Sequence, residues 1–312
     1  MESRPLGASG IEVSALSLGS WWTFERIPRE AGVAVMTAAR EHGIDFLDDA
    51  RYDDETGSAP LPTGYSEVVF GELFHAAGWK RDDVAVANKL WWEFWPKQSA
   101  AEELDGSLTR MGFDYLDVVY SERPPDGLAL PEVVVAVSEL IASGKARAWG
   151  VLNWQPELIT EAAGFAASEG LPAPCAAQLP YSLAHPEFVE DDLMADALNE
   201  ARASVVASAV LAGGALTGKY AISGADGRLA GDVDDPRRER AFQVGERLRG
   251  LADEMGTKPA RLAIAFALSN PRVASVLFGA TSPEQVAENV SALDVLGSLE
   301  PGTLAQLRSV GD

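Results

Sequence analysis

Eight short apolar runs recur along the chain, and the strand ends they imply carry polar residues, among them Asp48, Lys89, Glu122, Asn153 and Gln178. The runs are Ser14–Leu18, Ile44–Leu47, Val84–Asn88, Leu116–Tyr120, Arg147–Val151, Ala176–Leu179, Ser204–Ser208 and Ala274–Phe278. Helix-like stretches separate them. Parallel strands buried on both faces read this way, as continuous rather than alternating apolar runs. The pattern predicts an α/β fold, the (β/α)8 TIM barrel, in which the C-terminal strand ends converge on one face and carry the chemistry.

The segment Arg4–Val13, with Gly7 and Gly10, predicts a short hairpin able to cover the bottom of such a barrel. Helices are expected over Arg29–Glu41, Ser66–Ala76, Ala100–Met111, Pro131–Ala142, Pro156–Ala167, Val189–Ala201, Pro259–Leu268 and Pro283–Leu293. A further amphipathic helix, Arg237–Met255, places Val244, Leu248, Leu251 and Met255 on one face. Two long loops should lie at the functional rim: 51–64, polar and rich in Pro and Gly, and 221–236, rich in Gly and Asp. The repeat of roughly 30–40 residues belongs to βα units rather than to a solenoid. No linker divides the chain, so residues 1–312 are expected to form one domain.

Composition narrows the function. A 47% hydrophobic content supplies a sizeable core. No apolar run reaches the ~18 residues of a membrane span, and no secretory leader is expected. A single cysteine, Cys175, excludes an internal disulfide and a cysteine metal cluster. His42, His75 and His185 lack metal-ligand spacing, so no metal site is expected. The net charge of −22 would repel phosphate backbones, which removes nucleic acid as a partner and fits a charged cytoplasmic surface. A small-molecule substrate remains the expected partner, with a homo-oligomer left open.

The strand-end residues resemble those of the aldo-keto reductases over essentially the whole chain. The matching stretches include LSLGSWWTF (16–24), GIDFLDDARY (43–52), YSEVVFGELF (65–74), VANKLWW (86–92), DYLDVVYSERP (114–124), SGKARAWGVLNW (143–154), LAGGALTGKY (211–220) and SVLFGATSPEQVAENVSALDVL (275–296). GWKRDD, DVVYSERP and LFGATSPEQVAEN resemble the branch that includes the potassium-channel β subunits. The resemblance implies hydride transfer with a catalytic Asp, Tyr, Lys and His. Asp48 and Lys89 match their motifs, and an ammonium beside a phenol would lower its pKa. The family tyrosine lies five residues after the Asp; here DDARYDD puts Tyr52 four residues after Asp48, with Tyr65 as the reserve candidate. The family histidine aligns with Glu122. That glutamate resembles the one in steroid 5β-reductases, where a protonated carboxyl donates to an enone oxygen. The other reading of Glu122 is an ionised carboxylate paired with Lys89 or Arg123.

The cofactor residues follow from the same resemblance. Ser282 can cap a helix with Pro283 in its first turn, and Gln285 is expected to complete a capping box. A helix start is a natural phosphate site. Gly279, Thr281, Gln285, Glu288 and Asn289 match the adenine-binding segment. Leu211, Gly213 and Lys219 would hold pyrophosphate, and Arg228 matches a basic residue that helps bind the adenosine phosphate. Lys219 and Arg228 favour NADP(H), with NAD(H) as the alternative. Asn153 and Gln178 would contact the carboxamide. Leu152 replaces the usual Ser, and Ser208 stands where a stacking aromatic is usual. Trp21, Trp22, Trp91, Trp92, Trp95 and Trp154 fall in loops or beyond strand ends and are expected to line the mouth, with Trp21 also beside the cofactor. The implied activity is NADPH-dependent reduction of a carbonyl or a conjugated C=C in a small apolar or sugar-like molecule. The rival reading is a cofactor-binding sensor or interaction subunit with little turnover.

Overall fold

The computed structural model describes residues 1–54, 57–217 and 236–311. A two-stranded hairpin, β1 (Ser3–Pro5) and β2 (Glu12–Ser14), opens the chain. Eight parallel strands then close a barrel: β3 (Leu16–Gly19), β4 (Phe46–Asp48), β5 (Ala85–Leu90), β6 (Leu116–Ser121), β7 (Ala146–Leu152), β8 (Ala176–Pro180), β9 (Ser204–Ser208) and β10 (Val273–Phe278). Neighbours follow chain order, and β10 pairs with β3 to complete the ring. The expected (β/α)8 barrel and its hairpin are both present.

Around the ring lie α1 (Arg29–Glu41), α2 (Tyr65–Ala76), α3 (Ala100–Met111), α4 (Leu130–Ala142) and α5 (Pro156–Glu169). The second half adds α6 (Glu187–Glu190), α7 (Asp192–Ala201), α8 (Pro236–Glu254), α9 (Pro259–Leu268), α10 (Pro283–Val290), α11 (Ala292–Ser298) and α12 (Pro301–Ser309). Two expected helices are each divided. Asp191 interrupts 189–201 because its carboxylate caps α7, accepting the Leu193 N–H at 2.9 Å. Ser291 ends α10, and its hydroxyl binds the Glu288 carbonyl at 2.6 Å. Helix α8 stops at Glu254, leaving Met255 exposed rather than on the buried face with Val244, Leu248 and Leu251. Helix α12 was not foreseen; Leu307 is its one buried residue, so it shows almost no amphipathic pattern.

Alternation along each strand separates two apolar clusters. Leu47, Val86, Val119, Val151 and Val205 face the helices. Phe46, Ala87, Val118, Tyr120, Ala148 and Val206 fill the interior, joined from below by Leu6, Ile11 and Val13 of the hairpin. The Gly7 N–H fastens that plug to Ser204 Oγ at 2.9 Å. Gly7 itself sits at φ 55° against the Cys175 carbonyl, where a Cβ would lie only 2.1 Å away. The N-terminal end is therefore closed, and polar inward positions accumulate at the other end.

Gly150 of β7 is the space that accommodates the fully buried Tyr120 ring. A Cβ there would meet Tyr120 carbons at 2.8 Å and the Ala176 carbonyl at 2.5 Å. Gly150→Ala should destabilise the fold by about 1–3 kcal/mol in urea unfolding. An unchanged midpoint would contradict this packing.

Candidate active site

Three inward positions on β4, β5 and β8 place charge and polarity in the upper barrel. Lys89 Nζ donates to Asp48 Oδ2 and, at 2.8 Å, to the Asp49 carbonyl. Both side chains of the pair are buried. Burial pushes the Asp48 carboxyl up, while the Lys89 ammonium and the Gln178 amide oppose that rise. Asp48 Oδ1 and Gln178 Nε2 are both buried with no partner in hydrogen-bond geometry, although the two side chains lie close enough for the Gln178 amide to act on the Asp48 carboxyl. An ammonium has three N–H donors, and these bonds use two. The remaining one is available to an incoming oxygen or hydroxyl.

Tyr52 is the half-buried phenol beyond β4, and its hydroxyl accepts the Trp22 N–H at 3.1 Å. Its pKa is pushed up, first by burial and then by the Glu25 carboxylate. This is opposite to the lowering expected from a neighbouring lysine, because the Lys89 hydrogen bonds go to Asp48 and Asp49 instead. Tyr65 lies on α2, where its hydroxyl accepts from Arg29 Nη2 of α1 at 3.0 Å and its ring faces that guanidinium. It belongs to the helix layer. Glu122 follows β6 and takes the Arg123 partner rather than Lys89: Oε1 accepts the Arg123 N–H at 3.1 Å and lies 3.5 Å from its Nε. A groove of about 510 Å³ runs past it, bounded by Arg123, Pro125, Asp126, Leu128 and Leu158.

The remaining strand ends carry unusual backbone. Trp22, Trp92, Asn153, Ala209 and Ala212 all adopt φ between 46° and 60°, a region that costs non-glycine residues energy. All five lie just beyond barrel strands on the C-terminal side. Asn153 is exposed, and its N–H is held by the Gln178 carbonyl at 3.0 Å. Past Ser208, a turn through Leu211 places Gly213 at φ 66° and Gly214 at φ 97°. Beyond exposed Gly279, Ser282 caps α10, accepting the Gln285 N–H at 3.4 Å. The expected capping box is displaced by one residue: Gln285 Oε1 accepts the Thr281 N–H at 2.9 Å, not that of Ser282. Glu288 pairs with Lys258, and Asn289 is buried. Lys219 and Arg228 lie outside the described residues.

A sequence profile described as the Aldo/keto reductase family matches residues 15–311. The chain belongs to the aldo/keto reductase family. Among its relatives, a probable voltage-gated potassium channel subunit beta from Oryza sativa subsp. japonica is 34% identical, covering 99% of this chain and 96% of that protein. Its Arabidopsis thaliana counterpart, of the same name, is 32% identical over 99% and 96% respectively. A putative voltage-gated potassium channel subunit beta from Schizosaccharomyces pombe is 31% identical, covering 98% and 92%. These relatives match the branch expected from the motifs.

Within this aldo/keto reductase barrel the six tryptophans do not form one wall. Trp92 and Trp154 are buried in the barrel–helix layer, and Trp95 packs against it. Trp92 Nε1 donates to Ser121 Oγ at 2.9 Å. Trp21, 53% exposed, stacks on Trp22 with ring centroids 5.1 Å apart, and Trp91 packs against the interior cluster. The mouth therefore has fewer indoles than position in sequence suggested.

Sequence reasoning also passed over Asp49 and Glu67. Asp49 Oδ1 accepts the Ser20 hydroxyl, and Oδ2 is buried without a partner. Glu67, fully buried on α2, binds Asn88 at 2.8 Å and Arg110. The Asp49 carboxyl is pushed up to about 8, first by burial and then by the Glu67 carboxylate. An unfolded carboxyl ionises near ~4. Between these values the folded chain keeps a proton that the unfolded chain has lost, so stability falls as pH rises across the interval and levels above it. Asp49→Asn removes that contribution. Wild-type Tm should therefore fall relative to the variant between about pH 4 and 8, as read by calorimetry; parallel profiles would contradict it.

Proposed function

We propose that the protein is an NADPH-dependent oxidoreductase acting on a carbonyl, or on a C=C conjugated with one, in a small apolar or sugar-like substrate. The observation that carries this reading is the buried Lys89–Asp48 pair at the upper, polar end of the barrel, with one lysine donor uncommitted. The Gln178 amide, which lies near the Asp48 carboxyl, offers a donor suited to a carboxamide oxygen. Asn153 stands at the adjacent strand end, with Trp21 and Ser208 at the same rim. The left-handed glycines after Leu211 let a backbone approach a pyrophosphate closely. Gly279, Thr281, Gln285, Glu288 and Asn289, at the start of α10 and along it, would hold the adenosine portion, with Lys219 and Arg228 favouring its phosphate. Bound there, NADPH supplies the hydride.

The chain's own residues supply the rest. Lys89 directs its remaining N–H toward the substrate oxygen, and Asp48 fixes the ammonium in place. Tyr52 is assigned as the proton donor by its motif position; its raised pKa makes it a weaker acid than a free phenol and counts against the assignment, so Tyr52→Phe is the deciding variant. Glu122 orients the substrate beside the groove.

No helix among the described residues is long and apolar enough to cross a membrane; we place the protein in the cytoplasm. The names of the relatives favour a second reading, a cofactor-binding partner of a membrane channel with little turnover. A panel of neutral carbonyls and enones, with NADPH and NADH, separates the two. Turnover with NADPH supports the oxidoreductase. Binding without turnover supports the partner subunit, and preference for NADH would remove the argument from Lys219 and Arg228. Tyr52→Phe should lower the reduction rate about 10²–10⁴-fold with NADPH binding, followed by tryptophan fluorescence, unchanged. Full activity in that variant would overturn the donor assignment.

A further inference from the structure

Next to Tyr52, Arg51 is buried although it carries a full charge. Its guanidinium donates through Nη1 to Thr63 Oγ1 at 3.1 Å and Glu93 Oε2 at 2.7 Å, and through Nη2 to Glu103 Oε1 at 3.2 Å. Glu103, buried in the first turn of α3, also accepts the Trp91 N–H at 2.9 Å and the Trp92 N–H at 3.2 Å. Thr63 stands at the far end of the 51–64 loop, whereas Trp91, Trp92 and Glu93 open the 91–98 loop. One planar fork thus joins two loops that flank the mouth. The junction lies where Trp92 is held at φ 60°, a conformation that needs support from its surroundings. Phe94, 46% exposed, lies over the same guanidinium at 5.3 Å.

We propose that Arg51 is a positioning residue that fixes the two mouth loops relative to each other and presents Phe94 as a wall for the substrate. Lysine cannot replace it, because a single ammonium offers no fork spanning Thr63, Glu93 and Glu103. The kinetic part of this inference rests on the oxidoreductase reading; the mechanical part does not.

The test is amide exchange in the ligand-free full chain, followed by kinetics. In wild type the Asp54 and Gly64 amides bind the Pro62 and Tyr52 carbonyls at 2.9 and 3.0 Å, and the Trp91 and Trp92 amides bind Glu103. In Arg51→Lys both sets should exchange faster together, by about tenfold or more. Faster exchange in one loop alone, or in neither, overturns the proposal. With a carbonyl that wild type reduces, Arg51→Lys should raise KM about tenfold while kcat stays within about twofold. A lowered Tm with unchanged KM would mark a merely structural residue. If wild type reduces no carbonyl, the oxidoreductase reading fails and the exchange result alone decides the loop junction. Should Arg51→Lys not fold, Thr63→Val removes one bond of the cluster; it should loosen the Asp54 and Gly64 amides and raise KM by a smaller factor, and unchanged values overturn the proposal.

Discussion

The structure turns on a lysine and an aspartate withdrawn from water inside a barrel. Taking two charges into such a place is costly, and their mutual attraction offsets the cost only when the geometry and the surrounding hydrogen bonds are complete. Here Lys89 donates to Asp48 and to a backbone carbonyl, which leaves one of its three N–H groups uncommitted, and the Gln178 amide lies close enough to the Asp48 carboxyl to lower its pKa. A cluster of buried polar groups at the open end of the barrel, with a donor to spare, is what a ligand oxygen could complete.

Much of the architecture serves to hold that end of the barrel open while sealing the other. The hairpin carries Leu6, Ile11 and Val13 into the base, so the interior below the pair is packed with apolar side chains. Strain gathers at the opposite rim, where five non-glycine residues adopt left-handed backbone. These conformations need surroundings that fix them, and at Trp92 buried ionic groups provide the fixing: Glu103 binds the consecutive Trp91 and Trp92 amides, and Arg51 binds Glu103. Fold and chemistry are thus linked through the loops, with charge pairs acting as cross-braces.

The barrel was legible in the sequence because strands buried on both faces leave continuous apolar runs, and Phe46, Ala87 and Val118 alternate with Leu47, Val86 and Val119 into two cores. Helix limits were legible where a cap marks them, as at Ser99 before α3, whose side chain and Glu102 close a capping box. They were less so at Ser291, where a local hydroxyl–carbonyl bond breaks an otherwise continuous pattern. Asp48 and Lys89 stood out through motif position. Arg51 and Glu103 did not, since residues 51 and 103 meet only once the barrel is closed. Asp49 likewise has no motif position to mark it; its character comes from Ser20 and Glu67, brought together by β3, β4 and α2. The tryptophans mislead for the converse reason, because proximity to a strand end does not say which side of the strand a ring will take.

The claim that Lys89 acts on the reacting oxygen is tested most directly by single-turnover hydride transfer with Lys89→Met, NADPH being held at saturation. The account predicts a rate about 10²–10³-fold below wild type, with NADPH still bound. A rate within a few-fold of wild type would contradict it and leave the buried pair as part of the scaffold.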